Sequence, residues 1–399
     1  KSAGNGIDPL LLIERYGADA LRFALVREVA GAGQDIRLDY DRKSDTSATV
    51  EASRNFANKL WNATRFALMN LGGETPASLG EPFAADLEHE GRPLQLADRW
   101  ILSRLARVNG ETAERYGSYG LGEAAKGLYE FAWNEVCDWY LELIKRRLQS
   151  SADLEGEARA AALADQRTAR QVLAKVLSEL LVMLHPLMPH LTEELWHGLI
   201  GVSAPSAAAG ADAASSFLAL QPWPSVDMEA LDADLEEAFA ALIEAIRVVR
   251  NLRAVAGLKP AQPAPVQFIS GRPSLAALLR QATPDITALT RAASVVVLSP
   301  AEAEAARAAG SPQRALAGVS GELQVLLPIE GLVDLDALRG RLEKDIAKAE
   351  KEIAGLSGRL ANPNFAGKAP PEVVAECKAN LAEAEAQAAL ARRRLAELG

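Results

Sequence analysis

Two carboxylates on one predicted helix, Glu135 and Asp138, are the first candidates for acid–base chemistry. Their three-residue spacing puts them on one helix face, where they could work as a pair, although it suits ion pairs with neighbouring Lys or Arg better. Two histidines, His190 and His197, stand seven residues apart, but no third ligand follows at a metal spacing. With only two cysteines in the chain, the sequence predicts neither a metal site nor a disulfide framework.

Basic side chains are the second group of candidates. The chain has a net charge of −10, so any contact with a polyanion must come from local clusters of Lys and Arg. One cluster is Lys145-Arg146-Arg147, and another is the series Arg247, Arg250 and Arg253, whose spacing predicts a stripe along one helix. Each cluster could contact nucleic-acid phosphates or could simply be a solvated helix face.

The helices that must position these side chains follow from capping residues and apolar periodicity. Asp8-Pro9 predicts a helix start, and Gly17 predicts the end of that helix. Short connections between the predicted helices of the middle region favour an up-down bundle. Further helices are expected over residues 18–29, 55–71, 97–116, 121–148, 157–184, 189–199 and 231–256, and a linker is expected over 72–93.

The last third of the chain has a different texture. Short β-branched runs at 266–269 and 294–298 and an alternating run at 322–327 predict a small α/β unit. Two heptad seams follow, Leu335 to Leu360 and Val374 to Leu398, with Arg339 at one seam position. The prolines between the seams exclude one continuous helix and predict an antiparallel hairpin. The fold class is therefore mainly α: a helical bundle, a small α/β subdomain and a C-terminal antiparallel coiled-coil hairpin.

Four stretches, which together cover nearly the whole chain, resemble valyl-tRNA synthetases. The first is Lys-Ser-Ala-Gly-Asn at residues 1–5, followed by Asp8-Pro9 and by Gly-Ala-Asp-Ala-Leu-Arg at 17–22. It is similar to the end of the class I signature loop Lys-Met-Ser-Lys-Ser. By itself, the same run is also a polar turn before a capped helix.

The resemblance assigns ATP chemistry to this run. It implies that Lys1 and Ser2 are catalytic, as the second lysine and the last serine of the loop, and that Lys1, Gly4 and Asn5 bind ATP. A mobile ammonium at this position would stabilise the charge that develops on the α-phosphate oxygens when a carboxylate attacks. Glycine allows the tight backbone turn, and the asparagine side chain can fix the loop by hydrogen bonds.

The second stretch, residues 54–63, is similar to the helix that follows the signature loop in the valine, isoleucine and leucine enzymes. The resemblance implies tRNA contacts from Arg54 and Lys59. The same stretch is also expected to pack as an amphipathic helix with Trp61 in the core, which is compatible with those contacts. Residues 41–52 depart from the family because they form a longer and more polar link than usual, which puts contacts from this turn in doubt.

The third stretch resembles the helical anticodon-binding domain of the same enzymes and combines residues 97–105, 133–142 and 185–196. Trp100, Trp139 and Trp196 within it are expected in the core, although tryptophan can also stack on unpaired bases. The resemblance makes phosphate contacts the expectation for the basic clusters of the region, namely Lys145, Arg146, Arg247, Arg250 and Arg253.

The fourth stretch, residues 333–399, resembles the C-terminal coiled-coil arm of valyl-tRNA synthetases. This arm separates the valine enzymes from the isoleucine enzymes, which commonly end in a cysteine-bearing zinc module that this sequence lacks. The resemblance implies RNA-facing charges at Lys368, Arg392, Arg393 and Arg394. A solvated coil face is the alternative.

These expectations combine into one hypothesis. Residues 1–95 would form the end of the catalytic loop and a stem-contact region, 96–260 the anticodon-binding domain, 261–331 the α/β subdomain and 332–399 the tRNA-binding arm. The start at Lys1, without Met, predicts a truncated chain that is inactive alone. The full enzyme would be a cytoplasmic monomer that activates valine with ATP and Mg²⁺ and attaches it to the 3′ end of valine tRNA. The sequence predicts no signal peptide, membrane span or metal site for this chain.

Two other readings remain open. The chain could be a stand-alone tRNA-binding protein derived from a synthetase tail, without catalysis. It could also be a coiled-coil oligomeriser in which Val374 to Leu398 pairs between molecules, although the proline-containing turn favours closure within one chain.

Overall fold

The computed structural model describes residues 6–29, 36, 38–80, 88–89, 92–149, 154–201, 216–309, 314–362, 365 and 371–397, in two units, Lys1–Glu236 and Glu237–Gly399. The first unit is helical apart from the two-residue strands β1 (Glu88–His89) and β2 (Arg92–Pro93). Its helices are α1 (Pro9–Tyr16), α2 (Ala18–Arg27), α3 (Ala48–Asn70), α4 (Pro76–Leu79), α5 (Leu96–Gly117), α6 (Leu121–Glu130), α7 (Leu141–Gln149), α8 (Gly156–Leu184) and α9 (Pro189–Ile200). The segment Phe131–Tyr140, between α6 and α7, is π-helical, and Leu218–Leu220 forms a 3₁₀ turn.

The first helix begins and ends where the sequence predicts. The Asp8 carboxylate accepts a hydrogen bond from the Leu10 N–H at 2.9 Å, and Pro9 occupies the first helical position. Gly17 ends the helix with a φ of +91°, a value that residues with a side chain rarely adopt. Its ψ of 153° differs from that of the expected left-handed cap.

Helix α3 begins seven residues before the expected start at Asn55, so the prediction of a polar link over 41–52 is only half right. Residues 41–46 form a turn, but the chain is helical from Ala48. The reason is a cap from upstream: the Asp39 carboxylate accepts bonds from the Ala48 N–H at 2.7 Å and from the Thr49 N–H at 3.1 Å. Partial burial opposes ionisation of Asp39, but these bonds and that from Ser47 lower its pKa.

A buried ion cluster joins four segments of the helical bundle. The Asp98 side chain of α5 is fully buried, and the Arg147 guanidinium of α7 lies 2.8 Å from its carboxylate. Tyr140, from the π-helical segment, donates its hydroxyl to Asp98 at 3.2 Å, and Arg147 also reaches Asp165 of α8 at 2.9 Å. Burial raises the pKa of Tyr140 well above its ordinary value, so that its hydroxyl keeps the donated proton. The cluster neutralises a charge that would otherwise be unpaired in the core.

The second unit begins within α10 (Ala233–Ala256) and contains a four-stranded sheet. Strand β3 (Ala264–Ile269) pairs in parallel with β4 (Ala292–Leu298) and antiparallel with β6 (Leu323–Pro328), and β6 pairs antiparallel with β5 (Ala315–Ser320). The strand order is therefore β4-β3-β6-β5. Helices α11 (Pro273–Gln281) and α12 (Thr283–Thr290) connect β3 to β4, and α13 (Pro300–Ala308) follows β4. The predicted α/β subdomain is confirmed, and the sequence prediction had missed β5.

Helix α10 lies against this sheet. Buried side chains of β3 and β6, among them Phe268 and Val325, form the apolar layer of the sheet. On the neighbouring strand β5, a Cβ on Gly318 would lie 2.5 Å from the Val248 side chain of α10. Glycine at this position therefore allows the close approach of helix and strand.

The chain ends in the predicted hairpin of α14 (Leu335–Ala361) and α15 (Pro371–Glu397). Cys377 contacts the Leu356 carbonyl, and Arg392, later in α15, pairs with Glu350, earlier in α14, so the helices run antiparallel. The seams face each other: Leu342, Ala349, Cys377, Ala384, Ala388 and Ala391 are buried. Ile353, Leu381 and Leu395, which belong to the same predicted seams, are only half-buried, because two helices alone cannot enclose the rims of a seam. Leu398 lies outside the described residues.

We predict that Asp98→Ala lowers the free energy of unfolding of the first unit by about 3–5 kcal/mol, because it leaves the Arg147 charge buried without its main partner. Urea denaturation followed by tryptophan fluorescence measures this unit selectively, since all six tryptophans precede residue 237. Glu51→Gln is the control: it removes an exposed ion pair with Arg54 and should cost less than about 1 kcal/mol. Equal losses for the two variants would show that the cluster does not stabilise the bundle.

Candidate nucleic-acid interface

The exposed face of α3 is basic although the chain as a whole is acidic. From residue 52 to residue 70 the sequence has three basic residues, no acidic residue and four asparagines. Arg65, Trp61 and Met69 are all exposed on this helix. This local excess of positive charge and amide groups can attract a polyanion, which the negative net charge of the whole chain would repel.

Lys59 lies on the flank of α3, where it is partly neutralised. Its ammonium pairs with the Asp138 carboxylate and lies 3.9 Å from the centre of the Trp133 ring. Glu135 meets Arg104 of α5 through two hydrogen bonds, of 2.7 and 2.8 Å. The prediction that Glu135 and Asp138 bind neighbouring basic residues is thus confirmed, and nothing in their surroundings marks them as an acid–base pair.

Arg54 lies one turn into the basic stretch of α3. Its guanidinium pairs with Glu51 at 3.3 Å and lies 5.5 Å from the centre of the Tyr16 ring. With about two fifths of its side chain exposed (39%), the group is held in place and still reachable from solvent. Stacking on Tyr16 fixes the direction in which its remaining N–H groups point.

The cluster Lys145-Arg146-Arg147 on α7 divides between surface and core. Arg147 points into the buried cluster, Arg146 is exposed, and Lys145 pairs with Glu142. The Lys145 ammonium also lies 5.9 Å from the ring of Phe66 on α3. We call the surface formed by Arg54, Lys59, Trp61, Arg65, Lys145 and Arg146 the α3–α7 surface.

The predicted basic stripe on α10 is interrupted. Arg247 is exposed and pairs with Glu244, and Arg250 is exposed and donates to the Leu289 carbonyl at 3.2 Å. Arg253 is only 7% exposed and donates to the Gln262 carbonyl at 2.6 Å, and burial lowers its pKa. At 3.6 residues per turn, each three-residue step rotates the side chain by about 60°, so the third arginine has turned from the surface into the fold.

The arginines of the arm point in different directions because successive helical residues are about 100° apart. Arg392 is exposed and lies 2.6 Å from Glu350, Arg393 is exposed, and Arg394 is half-buried beside Leu342 and Ala391. Lys368 lies outside the described residues.

Lys1, Ser2, Gly4 and Asn5, which the sequence analysis predicted to belong to the signature loop, also lie outside the described residues. The helices that follow them are described. Helix α2, from the first stretch that resembles the family, contacts residues 186–191 of the third stretch, a contact that the sequence analysis did not predict. The Asp19 carboxylate of α2 accepts a bond from the Leu191 N–H at 2.6 Å and lies 2.9 Å from His190 Nδ1, so it caps the start of α9. Arg22 donates to the Pro186 carbonyl at 3.2 Å. The only feature of the sequence that indicated this contact was an acidic residue, Asp19, in the first turn of α2.

Two further histidines, His185 and His197, lie beside polar side chains of the same region. His185 Nδ1 lies 2.8 Å from the Thr192 hydroxyl, and burial lowers the pKa of His185. His197 Nε2 lies 3.2 Å from Glu193, whose carboxylate also accepts a bond from the Leu218 N–H at 2.8 Å. Among the described residues, no group of His, Cys, Asp and Glu could hold a metal ion. Burial also raises the pKa of the Cys137 thiol to about 12, which makes it a poor nucleophile.

The tryptophans test the expectation of core packing. Trp100 and Trp139 are buried as predicted, and Trp196 is half-buried with its N–H donated to the Ser216 carbonyl at 3.1 Å. The expectation that Trp61 lies in the core is wrong, because its side chain is 43% exposed. Leu60 occupies the buried side of α3, and the next residue is necessarily rotated by about 100° toward solvent.

Comparison with known proteins relates both units to tRNA ligases. Residues 98–268 match the family of anticodon-binding domains of tRNA ligases, and residues 334–399 match the valyl tRNA synthetase tRNA binding arm. Among the described residues, no helix is long and apolar enough to cross a membrane.

Relatives match the chain along its whole length. The chain is 75% identical over 399 residues to a valine–tRNA ligase of Prochlorococcus marinus (strain MIT 9313), which covers 100% of this chain and 40% of that protein. It is 74% identical over 398 residues to that of Parasynechococcus marenigrum (strain WH8102), covering 100% and 41%. The valine–tRNA ligase of Synechocystis sp. (strain PCC 6803) is 48% identical over 399 residues, covering 100% and 40%. The chain thus spans about two fifths of the length of these relatives.

Proposed function

Because the chain belongs to the valyl-tRNA synthetase family and corresponds to the C-terminal part of its members, we propose that it binds valine tRNA for a valine–tRNA ligase. The observation that carries this proposal is the succession, in one chain, of an anticodon-binding domain and a tRNA-binding arm. The four-part division at residues 95, 260 and 331 remains part of the proposal. So do the monomeric state and the cytoplasmic location.

The reaction that the full enzyme would catalyse has two steps. The valine carboxylate attacks the α-phosphate of ATP and releases pyrophosphate, and the valyl group then passes to the 3′ end of the tRNA. We propose that Lys1 and Ser2 act in the first step, and that Lys1, Gly4 and Asn5 bind ATP. Mg²⁺ would accompany ATP, and we assign no Mg²⁺ ligand to the described residues.

The proposed phosphate contacts come from three regions. Two are the α3–α7 surface and the exposed arginines of α10, Arg247 and Arg250. The third is the arm, with Lys368, Arg392, Arg393 and Arg394. We leave Arg253 out because its guanidinium is buried against backbone carbonyls, and an RNA phosphate could reach it only if the turn after α10 opened.

The first test is binding. The 399-residue chain should bind valine tRNA more tightly than other tRNAs, and its affinity should fall steeply as salt rises, because each phosphate contact releases counterions. Filter binding at a series of salt concentrations, with a duplex DNA of equal charge as the control, measures both properties. Equal affinity for all tRNAs and for the duplex would contradict the proposal and favour a non-specific binding module.

The second test concerns the proposed loop lysine. In the full-length ligase, Lys1→Ala should lower valine-dependent ATP–pyrophosphate exchange by about a hundredfold, the usual effect of one lost transition-state contact. Binding of valine tRNA should be unchanged, which serves as the internal control. Unchanged exchange would mean that Lys1 is not the signature-loop lysine.

The third test concerns the arm. Replacing Arg392, Arg393 and Arg394 together by Gln should raise the tRNA KM of the full-length ligase about tenfold, leave valine activation intact and flatten the salt dependence of binding. Glu383→Gln and Glu385→Gln, on the same helix, are matched controls that should not weaken binding. An unchanged tRNA KM in the arginine variant would show that the arm is structural. An arm-dependent dimer in sedimentation would point instead to oligomerisation.

A further inference from the structure

The ring of Trp61 differs from every other tryptophan ring of the chain in having no partner within the described residues. Trp100 and Trp139 are buried, and Trp133 stacks on Tyr129 with ring centres 5.5 Å apart. Trp196 and Trp223 donate their N–H groups to protein acceptors at 3.1 and 2.8 Å. Trp61 makes neither a ring contact nor a hydrogen bond to a described residue, and its side chain is 43% exposed.

The neighbours of Trp61 along α3 are cationic or amide-bearing. Arg65 stands one helical turn after it, about 6 Å along the axis, and Arg54 stands two turns before it on the same flank. Asn58 and Asn62, both exposed, stand three residues before and one residue after Trp61 on the helix. Glu51, at the start of α3, is the nearest acidic residue along the helix, and it already pairs with Arg54.

These surroundings select the class of ligand. An exposed indole between two guanidinium groups, on a stretch of helix without an acidic residue from 52 to 70, offers an apolar flat face together with positive charge. An unpaired nucleotide matches both features, because its base can stack on the ring while its phosphates approach the arginines. A protein partner would find only two apolar side chains, Trp61 and Met69, separated by about two helical turns, since the exposed residues between them are Asn and Arg.

We propose that Trp61 is a stacking platform for an unpaired base of the bound tRNA. The proposal rests on the proposed tRNA-binding function and extends it to a residue for which core packing was expected. Stacking uses the face of the base and not its hydrogen-bonding edge. The contact therefore contributes affinity and fixes the position of the nucleotide without selecting the base.

Two substitutions in the 399-residue chain separate stacking from simple apolar contact. Trp61→Leu keeps an apolar side chain but removes the aromatic face, and it should raise the Kd for a valine tRNA transcript by about fivefold to a hundredfold. Trp61→Phe keeps a smaller aromatic face and should recover most of that loss. Neither variant removes a charge, so the slope of log Kd against log salt should stay that of the unmodified chain.

Arg146→Gln is the matched control on the same surface: it should flatten the salt slope without touching the ring. If Arg146→Gln flattens the slope and Trp61→Leu leaves Kd unchanged, the stacking proposal is wrong while tRNA binding stands. If the unmodified chain does not bind valine tRNA at all, the proposed function itself fails. Equal losses for Trp61→Leu and Trp61→Phe, with unchanged unfolding midpoints, would also overturn stacking. The same holds if Trp61→Leu instead dissociates a dimer of the chain.

Discussion

The buried carboxylate of Asp98 is the constraint on which the helical bundle depends. A fully desolvated charge is tolerated only when its partners are held in place, and here they come from the π-helical segment and from α7. Turning Arg147 inward to meet Asp98 fixes the rotation of α7. That rotation in turn directs Arg146 and Lys145 outward, toward the surface shared with α3. The orientation of a proposed RNA contact is thus set by an ion pair in the core.

The π-helical segment contributes to the same surface in a second way. A π-helix has a wider turn than an α-helix, so it changes the direction in which its side chains point. Within it, Glu135 meets Arg104 on α5 and Asp138 meets Lys59 on α3, although only three residues separate the two carboxylates. One segment therefore links helices on both of its sides, and it holds Lys59 above the Trp133 ring.

How much of the structure the sequence could predict depended on how far apart in the chain the interacting residues are. Caps such as Asp8 depend on neighbours at fixed helical spacing, and so do the two seams, to which Leu342 and Cys377 belong; both appear where the pattern indicated. The start of α3 has a local cap, Ser47, but it also depends on Asp39, nine residues before the helix, and no local pattern identifies such a distant partner. The cap that Asp19 gives to α9 joins residues more than 170 positions apart. Burial at a single position depends on which side of a helix packs against its neighbours: Leu60 lies on that side of α3, and Trp61, one residue later, turns toward solvent.

Several of the proposed phosphate contacts have a property that would let an acidic chain bind RNA selectively. Five of the proposed basic groups pair with carboxylates of the chain itself: Arg54 with Glu51, Lys59 with Asp138, Lys145 with Glu142, Arg247 with Glu244 and Arg392 with Glu350. An RNA phosphate must replace a carboxylate at each of them, so the gain per contact is reduced by up to about 1 kcal/mol, the value of an exposed pair. A polyanion that reaches only one or two of these sites gains little, whereas an RNA shaped to reach many gains from all of them together. Under the proposed function, shape would therefore decide which polyanion binds, and the negative net charge would repel polyanions of any other shape.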